Sequence, residues 1–459
     1  MSIDINNSNS FFFIGVGGTG MSALAQYLVG TGKQVSGSDR GFETQALDDI
    51  RVKLEAAGIT CFLQNGEGIT ADTDVIVVST AVEDTVPEVQ KAKALNIPVI
   101  RRSELLAQIA ATRKTIAIGG TSGKSTTSAM LFEILQYAGL EPGIISGAGL
   151  VSLIKQGKIG NAATGRGEWL IIEADESDGS IVQYHPEIGV LLNIDKDHKE
   201  IDVLMDIFDI FRNNTRSAFV VNQSHPLAAK LSRNVVYNFS TDTGSDAAYI
   251  ASGFKQEGLD IRFRINNYPF LLHTVGRHNM ENALAAVAVA GLLNISLEAC
   301  SKALENYSGI YRRHQVLGNK NGVWLIDDYA HNPAKCAASI AACQAIAPKV
   351  IAWFQPHGYG PTRFLRHDFV QEIADVLRPG DEIWMSEIFY AGGTTTKNIS
   401  AGDLIHDLQQ LGKSAFFIAA RENFLRSVRS HLTNNCVLLL MGARDPSLES
   451  FAHEIWSEL

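Results

Sequence analysis

Two short glycine-rich segments constrain this chain more than anything else in it. Gly15-Val16-Gly17-Gly18-Thr19-Gly20 follows the apolar run Phe11–Ile14, and Gly120-Thr121-Ser122-Gly123-Lys124-Ser125-Thr126 follows Thr115–Ile118. Each reads as a strand, a tight turn and a helix start. Such a turn aims free backbone N–H groups and the positive end of a helix dipole at an anion. A dehydrogenase needs only the first segment and a simple ATPase only the second. A chain with both is built to bring a nucleotide-linked substrate to ATP.

The rest of the sequence fits an α/β protein of about three domains on the usual length prior. Residues 11 to about 110 alternate strand and helix: strands at Phe11–Ile14, Gln34–Ser36, Val75–Ser79 and Ile97–Ile100, helices at Met21–Val29 and Glu88–Leu95. This pattern predicts a doubly wound parallel sheet whose first turn carries the first glycine segment. Leu105–Lys114 reads as a helix and linker. A second α/β unit opens at Thr115, with a helix from Lys124 to Ala138 that stops at Gly139 and apolar strands at Leu170–Ile172 and Ile188–Asn193. Residues 217–275 are strand-rich, and Asn279–Leu293 is Ala-rich and helical. A third βα series opens at Val323–Ile326, with strands near Val350–Phe354, Glu382–Met385, Ala415–Ile418 and Cys436–Met441.

Composition excludes several partner classes. Net charge is −10 without a long basic run, which disfavours nucleic acid and anionic membrane. No apolar stretch approaches the roughly 20 residues of a membrane helix. Met1–Ser10 is polar and unlike a secretory signal. The five cysteines are odd in number and form no CxxC pair, as expected of reduced thiols in a cytoplasmic chain.

Chemistry-bearing residues cluster where predicted strands end. The second glycine segment is shorter than a standard Walker A, leaving two residues between Gly120 and Gly123-Lys124. Lys124 still reaches terminal phosphates, and the Ser125 hydroxyl suits Mg²⁺. Glu173-Ala174-Asp175-Glu176-Ser177-Asp178 places four carboxylates in six residues. They repel one another unless a cation or solvent intervenes, and carboxylate oxygen suits Mg²⁺. A second cluster, Asn193 to His198, ends the next apolar strand. Asn279 is placed to cap the Ala-rich helix, and Asn282, in its first turn, to offer an amide to a base edge. Arg312-Arg313 stands at a domain boundary, placed to reach a γ-phosphate. Asp327-Asp328-Tyr329-Ala330-His331 and Phe354-Gln355-Pro356-His357 follow the first two strands of the third series.

Taken in order, these motifs resemble the Mur ligases, most closely the alanine-adding type, over nearly the whole chain. The match also includes Gly15 to Ser22, Ser36-Gly37-Ser38-Asp39 and His278-Asn279. The resemblance implies a Rossmann-like domain for a UDP-linked substrate over 1–110, a central ATPase-like domain with a mixed sheet over 111–313, and a Rossmann-like domain for the amino acid over 314–459. It implies ATP-driven formation of an acyl phosphate on the muramyl carboxylate of UDP-N-acetylmuramate, then attack by the amine, in peptidoglycan precursor synthesis. Lys124, Glu173, His198 and Arg312 then carry catalysis. Ser125, Glu173 and His198 serve Mg²⁺ or Mn²⁺. ATP lies on Gly120 to Thr126 with Asn282, Arg312 and Asp327. The UDP-substrate lies on Gly15, Gly17, Gly18, Thr19, Gly20, Ser22, Asp39, Ser79 and Arg102. The amino acid meets Tyr329, His331, His357, Tyr359, Arg363 and Arg444. The resemblance further implies small-molecule partners only and a monomer or weak homodimer. Ligases that add later residues carry a modified lysine after the Asp-His pair. This chain has no lysine between Lys199 and Lys230, as in the alanine-adding type.

The sequence departs from that pattern in places. Ser122 stands where the alanine-adding type has histidine, and Gln64-Asn65 replaces a Gly-His pair. Gly358 and Pro361 stand where it has two arginines, and Arg444 interrupts a Gly-Ala-Gly-Asp. Losing guanidiniums removes bidentate carboxylate clamps, which Arg444 is placed to restore. This leaves a related ligase with another amine or peptide, as in murein recycling, as the nearest alternative. A non-catalytic UDP-sugar-binding homologue is disfavoured by the retained Lys124, Glu173, His198 and Arg312. An NAD(P)-dependent oxidoreductase with Asp39 on the ribose explains the first glycine turn but gives no use to the second.

Overall fold

The structure is a computed structural model, and its described residues are 4–43, 47–80, 82–196, 199–390 and 396–459. They form two compact units. One comprises Met1–Phe254, Phe263–Leu272 and Met280–Ile310; the other comprises Lys255–Arg262, His273–Asn279 and Tyr311–Leu459.

The first unit opens with a five-stranded parallel sheet: β1 (Ser10–Ile14), β2 (Gln34–Ser38), β3 (Thr60–Phe62), β4 (Val75–Val78) and β5 (Val99–Arg101), in the order β3-β2-β1-β4-β5. Phe11 to Ile14 are fully buried, the continuous apolar run expected of a strand covered on both faces. Strand order reverses between β1 and β4. Open α/β sheets bind ligands at the carboxyl end of such a point, and there the Gly15–Gly20 turn leads into α1 (Thr19–Gly30).

The central sheet follows: β6 (Lys114–Gly119), β7 (Gly143–Ile145), β8 (Ala162–Ala163), β9 (Trp169–Ala174), β10 (Ile188–Leu191) and β11 (Ala218–Val221), in the order β11-β10-β6-β9-β7-β8. It is parallel except for β8, which runs antiparallel on the edge. The second glycine turn joins β6 to helix Lys124–Tyr137. A small four-stranded sheet follows: β12 (Phe239–Ser240), β13 (Tyr249–Glu257), β14 (Asp260–Ile265) and β15 (Tyr268–Leu272). One apolar cluster runs from Phe11 and Phe13 of the first sheet and Leu24 of α1 to Leu170 and Ile172 of the second sheet and Phe208 of the helix Ile201–Asn214.

The second unit holds β16 (Gln315–Lys320), β17 (Val323–Asp328), β18 (Lys349–Gln355), β19 (Glu382–Met385), β20 (Ala415–Phe417) and β21 (Cys436–Gly442), in the order β16-β17-β21-β18-β19-β20. Only β16 is antiparallel to its neighbour. The carboxyl ends of β17, β21 and β18 therefore lie side by side.

Several expectations need correction. Helix Asp48–Ala56 and the three-residue β3 escaped the sequence reading; β3 is too short to show a period. The linker helix is Arg102–Ala111, and Lys114 already belongs to β6. The third series opens one strand earlier, with the half-exposed β16. Asn279 does not cap its helix, which starts at Arg277; its amide donates to Val275 O at 2.8 Å and to Thr274 Oγ1 at 3.0 Å. All five cysteines are buried and free of disulfides. No helix among the described residues is long and apolar enough to cross a membrane.

Helix α1 approaches the central sheet closely at Gly30. A Cβ there would collide with the Thr164 hydroxyl and lie 2.8 Å from the Thr164 Cβ. Alanine normally gains about 1 kcal/mol over glycine within a helix. Here overpacking, worth about 1–3 kcal/mol, wins. Gly30→Ala is expected to lower the urea midpoint, and adding Thr164→Gly is expected to recover most of it. An unchanged midpoint in Gly30→Ala would contradict the close approach.

Candidate active site

The first glycine turn is braced by its own side chains. Gly15 has a left-handed φ of +83°, and its N–H donates to Ser38 O at 2.7 Å. The Asp39 carboxylate accepts from Gly17 N at 3.0 Å and from Gly41 N at 2.8 Å. Asp39 thus shapes the turn. Ser22 is buried within α1, facing Asn161 at 2.9 Å. Ser79 directly follows β4, at the same carboxyl edge. Arg102 lies against Gly20 and pairs with Asp178 at 3.0 Å.

The second turn gathers more chemistry because β6 lies between β9 and β10, so the ends of both neighbours flank it. Glu173 is next to last in β9, opposite Ile118. Its Oε2 accepts from Ser125 Oγ at 3.0 Å. Its Oε1 accepts from Ser146 Oγ at 2.6 Å and Gly147 N at 2.7 Å. From beyond β10, the Asn193 side chain accepts from Ser122 N at 2.8 Å and Thr121 Oγ1 at 2.9 Å, and donates to Ser122 O at 3.1 Å. Lys124 Nζ donates to Gly120 O at 2.7 Å and to Glu176 Oε2 at 2.6 Å. Gly120 and Gly123 have φ of +137° and +85°. A Cβ on Gly123 would strike Asn282 Oδ1, which also accepts from Thr127 Oγ1 at 3.3 Å. Thr126 follows in the first helical turn. Burial raises the pKa of Glu176, and Lys124 offsets this only in part. Burial also acts to raise Asp175, but the Lys124 charge, the bonds from Ser177 and the Arg102 charge outweigh it, leaving it below the usual carboxylate value.

Ser125 Oγ and a carboxylate oxygen of Glu173 form a hard-oxygen pair beside Lys124, the donor chemistry that Mg²⁺ selects. Asp197 and His198, read from sequence as part of this site, lie outside the described residues.

In the second unit, Asp327 is next to last in β17, in register with Leu440 of β21. It accepts from Arg312 Nε at 2.8 Å and Nη2 at 3.3 Å. Arg312 and His314 both have left-handed backbone, with φ of +53° and +52°. Tyr329, His331 and His357 form a chain of rings with centroids 5.7 and 5.6 Å apart. Tyr359 lies edge-on to Tyr390 at 5.4 Å, and Lys397 Nζ sits 4.8 Å above the Tyr390 ring. Arg363 donates to Asn398 Oδ1 at 2.5 Å. Arg444 is exposed just beyond β21, with φ of +69°.

Residues 10–114 match the Mur ligase family catalytic domain, 118–290 the Mur ligase middle domain, and 312–444 the Mur ligase glutamate ligase domain. The chain belongs to the Mur ligase family. A UDP-N-acetylmuramate–L-alanine ligase of Carboxydothermus hydrogenoformans is 35% identical over 449 residues, covering 94% of this chain and 93% of that one. Another, of Geobacter sulfurreducens, is 34% identical over 451 residues, covering 94% of each. The structure of UDP-N-acetylmuramate-alanine ligase from Thermotoga maritima superposes with a TM-score of 0.79 at 24% identity, over 98% of this chain and 100% of that one. It shows the shared fold.

This Mur ligase is therefore an ATP-dependent amide-forming enzyme with the family's three-domain architecture. Hydride transfer, the competing reading of the first turn, is set aside. The structure brings Lys124, Ser125, Glu173 and Asn282 together around one turn, and Arg312 and Asp327 around one carboxyl edge. Sequence reasoning missed Ser146, Asn161, Tyr390 and Lys397, which stand outside any recognisable motif. It noted Asn193 only as part of an acidic cluster.

Behind Asp327, the buried His314 ring contacts Asp328 Oδ2 at 3.2 Å, Ser339 Oγ at 3.3 Å and Cys343 Sγ at 3.4 Å. Burial works against protonation of His314, but Cys343 and Asp328 outweigh it and hold its pKa up to about 10. Burial raises Asp328, but its bonds and charge interaction with His314 and the Ser339 bond pull it down to about 2. A raised histidine stabilises the fold fully below its unfolded pKa, about 6.5, and ceases to as pH passes the folded value. A lowered aspartate stabilises above its unfolded pKa, about 3.9. The pair is thus at full strength between about pH 4 and 6.5 and fades from 6.5 to 10. Thermal unfolding should show stability falling over pH 6.5–10, with the slope reduced in His314→Phe. An identical slope in the variant would contradict the buried pair.

Proposed function

We propose that this Mur ligase joins L-alanine to the muramyl carboxylate of UDP-N-acetylmuramate, using ATP with Mg²⁺ or Mn²⁺, in the first step of peptide assembly on a peptidoglycan precursor. The observation that carries this reading is the arrangement around the second turn: Lys124 beside Gly120 and Glu176, and Ser125 paired with Glu173. The curated relatives named for this reaction, 32–35% identical over 94% of the chain, support the substrates. Domains over 1–110, 111–313 and 314–459 would hold the UDP-substrate, ATP and the amino acid. The enzyme would act in the cytoplasm as a monomer or weak homodimer.

In this reading Lys124 exchanges Glu176 for phosphate oxygen and offsets charge as the γ-phosphoryl group moves to the muramyl carboxylate. Ser125 and Glu173 would hold the metal ion with His198, and the metal would neutralise phosphate charge. Ser146 and Gly147 fix the Glu173 carboxylate from behind. Arg312, drawn to Asp327 here, would supply charge to the transferring group, and Asn282 would contact the nucleotide. The UDP-substrate would lie along Gly15–Gly20, near Ser79 and Arg102.

Lys124→Ala should lower kcat by about a hundredfold or more, as removal of a charge-stabilising donor does elsewhere, and should also lower the melting temperature, because the buried Glu176 loses its partner. Glu173→Ala should raise the Mg²⁺ concentration needed for half-maximal ADP release. Near wild-type turnover in the first variant, or an unchanged metal titration in the second, would contradict these roles.

The amine end is less conventional, because Gly358 and Pro361 leave no guanidinium there and Gly358 takes φ of +74°. Tyr329, His331, His357, Tyr359 and Arg363 would line the amino-acid site, and Arg444 would clamp the carboxylate. A hydrogen bond to a charged group is worth about 1.5–3 kcal/mol. Arg444→Ala should therefore raise the KM for L-alanine by about tenfold to a hundredfold, with kcat little changed. An unchanged KM for L-alanine, L-serine and glycine alike would remove Arg444 from the site.

A further inference from the structure

Asn161 belongs to no nucleotide-binding motif, yet two sets of hydrogen bonds meet on it. It directly precedes the edge strand β8 and is 1% exposed. Its side chain is committed to α1. Nδ2 donates to Thr19 O at 2.7 Å and to Ser22 Oγ at 2.9 Å. Oδ1 accepts from Gln26 Nε2 at 2.8 Å. These three partners lie in the first turns of the helix that springs from the first glycine turn. Its main chain faces the other way, where Asn161 O accepts from Ser146 N at 2.9 Å. Ser146, 2% exposed, holds Glu173 Oε1 at 2.6 Å, and Glu173 Oε2 faces Ser125 Oγ at 3.0 Å.

A continuous chain of direct bonds thus links the two anion-binding turns: α1, Asn161, Ser146, Glu173, Ser125. Asn161 and Ser146 at its centre are buried, so solvent competes little for the bonds they make. In low dielectric each is stronger than at the surface, and each broken partner leaves a costly unsatisfied group. A displacement of α1 relative to β8 must therefore move the backbone that holds Ser146 or break a buried bond.

We propose that Asn161 is a positioning residue that couples the two turns, so that occupancy of the Gly15–Gly20 turn by the UDP-sugar tightens binding of the metal–nucleotide at Lys124–Ser125. The inference rests on the functional reading above. The carriers are the Asn161 amide on one side and its carbonyl on the other. Ligand at the first turn orders α1, which fixes Asn161. Fixed Asn161 holds Ser146 against Glu173, so the second ligand meets a carboxylate that is already ordered and loses less conformational freedom on binding. Linkage requires the effect to be reciprocal.

The test is calorimetry without turnover. The affinity of a non-hydrolysable ATP analogue with Mg²⁺ is measured with and without saturating UDP-N-acetylmuramate, and then in the reverse order. The wild type should show mutual tightening of about fivefold or more, the lower range of ordinary allosteric coupling. Asn161→Ala and Ser146→Ala should each still bind both ligands singly, with the mutual factor below about twofold. The double variant should lose no more than either alone, as for residues in one network. If Asn161→Ala does not fold, Asn161→Ser, too short to bridge to Gln26, replaces it. A merely structural Asn161 would lower the melting temperature and leave the mutual factor intact, which overturns the proposal. A wild type that binds both ligands without mutual tightening also overturns it, leaving the functional reading in place. A wild type that binds neither ligand removes that reading and this inference with it.

Discussion

Four carboxylates within six residues at the end of β9 are the constraint on which the site depends. Glu173, Asp175, Glu176 and Asp178 cannot all be ionised at the edge of a buried sheet unless each finds a partner. The fold gives each of them different partners. Glu173 is held by Ser125, Ser146 and Gly147; Asp175 accepts from Ser177 N; Glu176 meets Lys124; and Asp178 meets Arg102. The cluster is thereby tied to the second glycine turn on one side and to the first domain's Arg102 on the other.

The Lys124–Glu176 pair has a particular consequence. Both side chains are largely withdrawn from water, at 15% and 5% exposure. Breaking such a pair without replacement is expensive. A phosphate that arrives at Lys124 replaces one anion with another, so the lysine need never be buried without a counter-charge. Burial raises the pKa of Glu176, and Lys124 offsets this only in part.

Much of this was legible in the sequence because it is local. Apolar runs such as Phe11–Ile14 and Thr115–Ile118 marked buried parallel strands, and the glycine turns after them needed only short-range reasoning. The placing of Glu173 beside Ser125 follows once β9 is known to neighbour β6. What the sequence hid depends on contacts between distant residues. Asn161 and Ser146 look like ordinary loop polar residues, and nothing in their neighbourhood shows that one will grip α1 and the other Glu173. Asp39 shows both sides. Its position after β2 suggested a contact with the UDP-substrate, or with a ribose in the oxidoreductase alternative, and nothing in the sequence showed that the carboxylate also holds the N–H groups of Gly17 and Gly41. Asn279 looked like a helix cap because it precedes an Ala-rich run, whereas the helix begins two residues earlier. Short elements such as Thr60–Phe62 carry too few residues to show a period.

The chemistry assigned to the two turns makes one demand on the atoms. If the muramyl carboxylate takes the γ-phosphoryl group before the amine attacks, one carboxylate oxygen must leave with phosphate. UDP-N-acetylmuramate labelled with ¹⁸O in that carboxylate, incubated with ATP, Mg²⁺ and L-alanine, is expected to release inorganic phosphate carrying one ¹⁸O atom, with ADP as the other product. Unlabelled phosphate, or AMP with pyrophosphate, would contradict phosphoryl transfer to the sugar carboxylate and with it the roles given to Lys124 and Glu173.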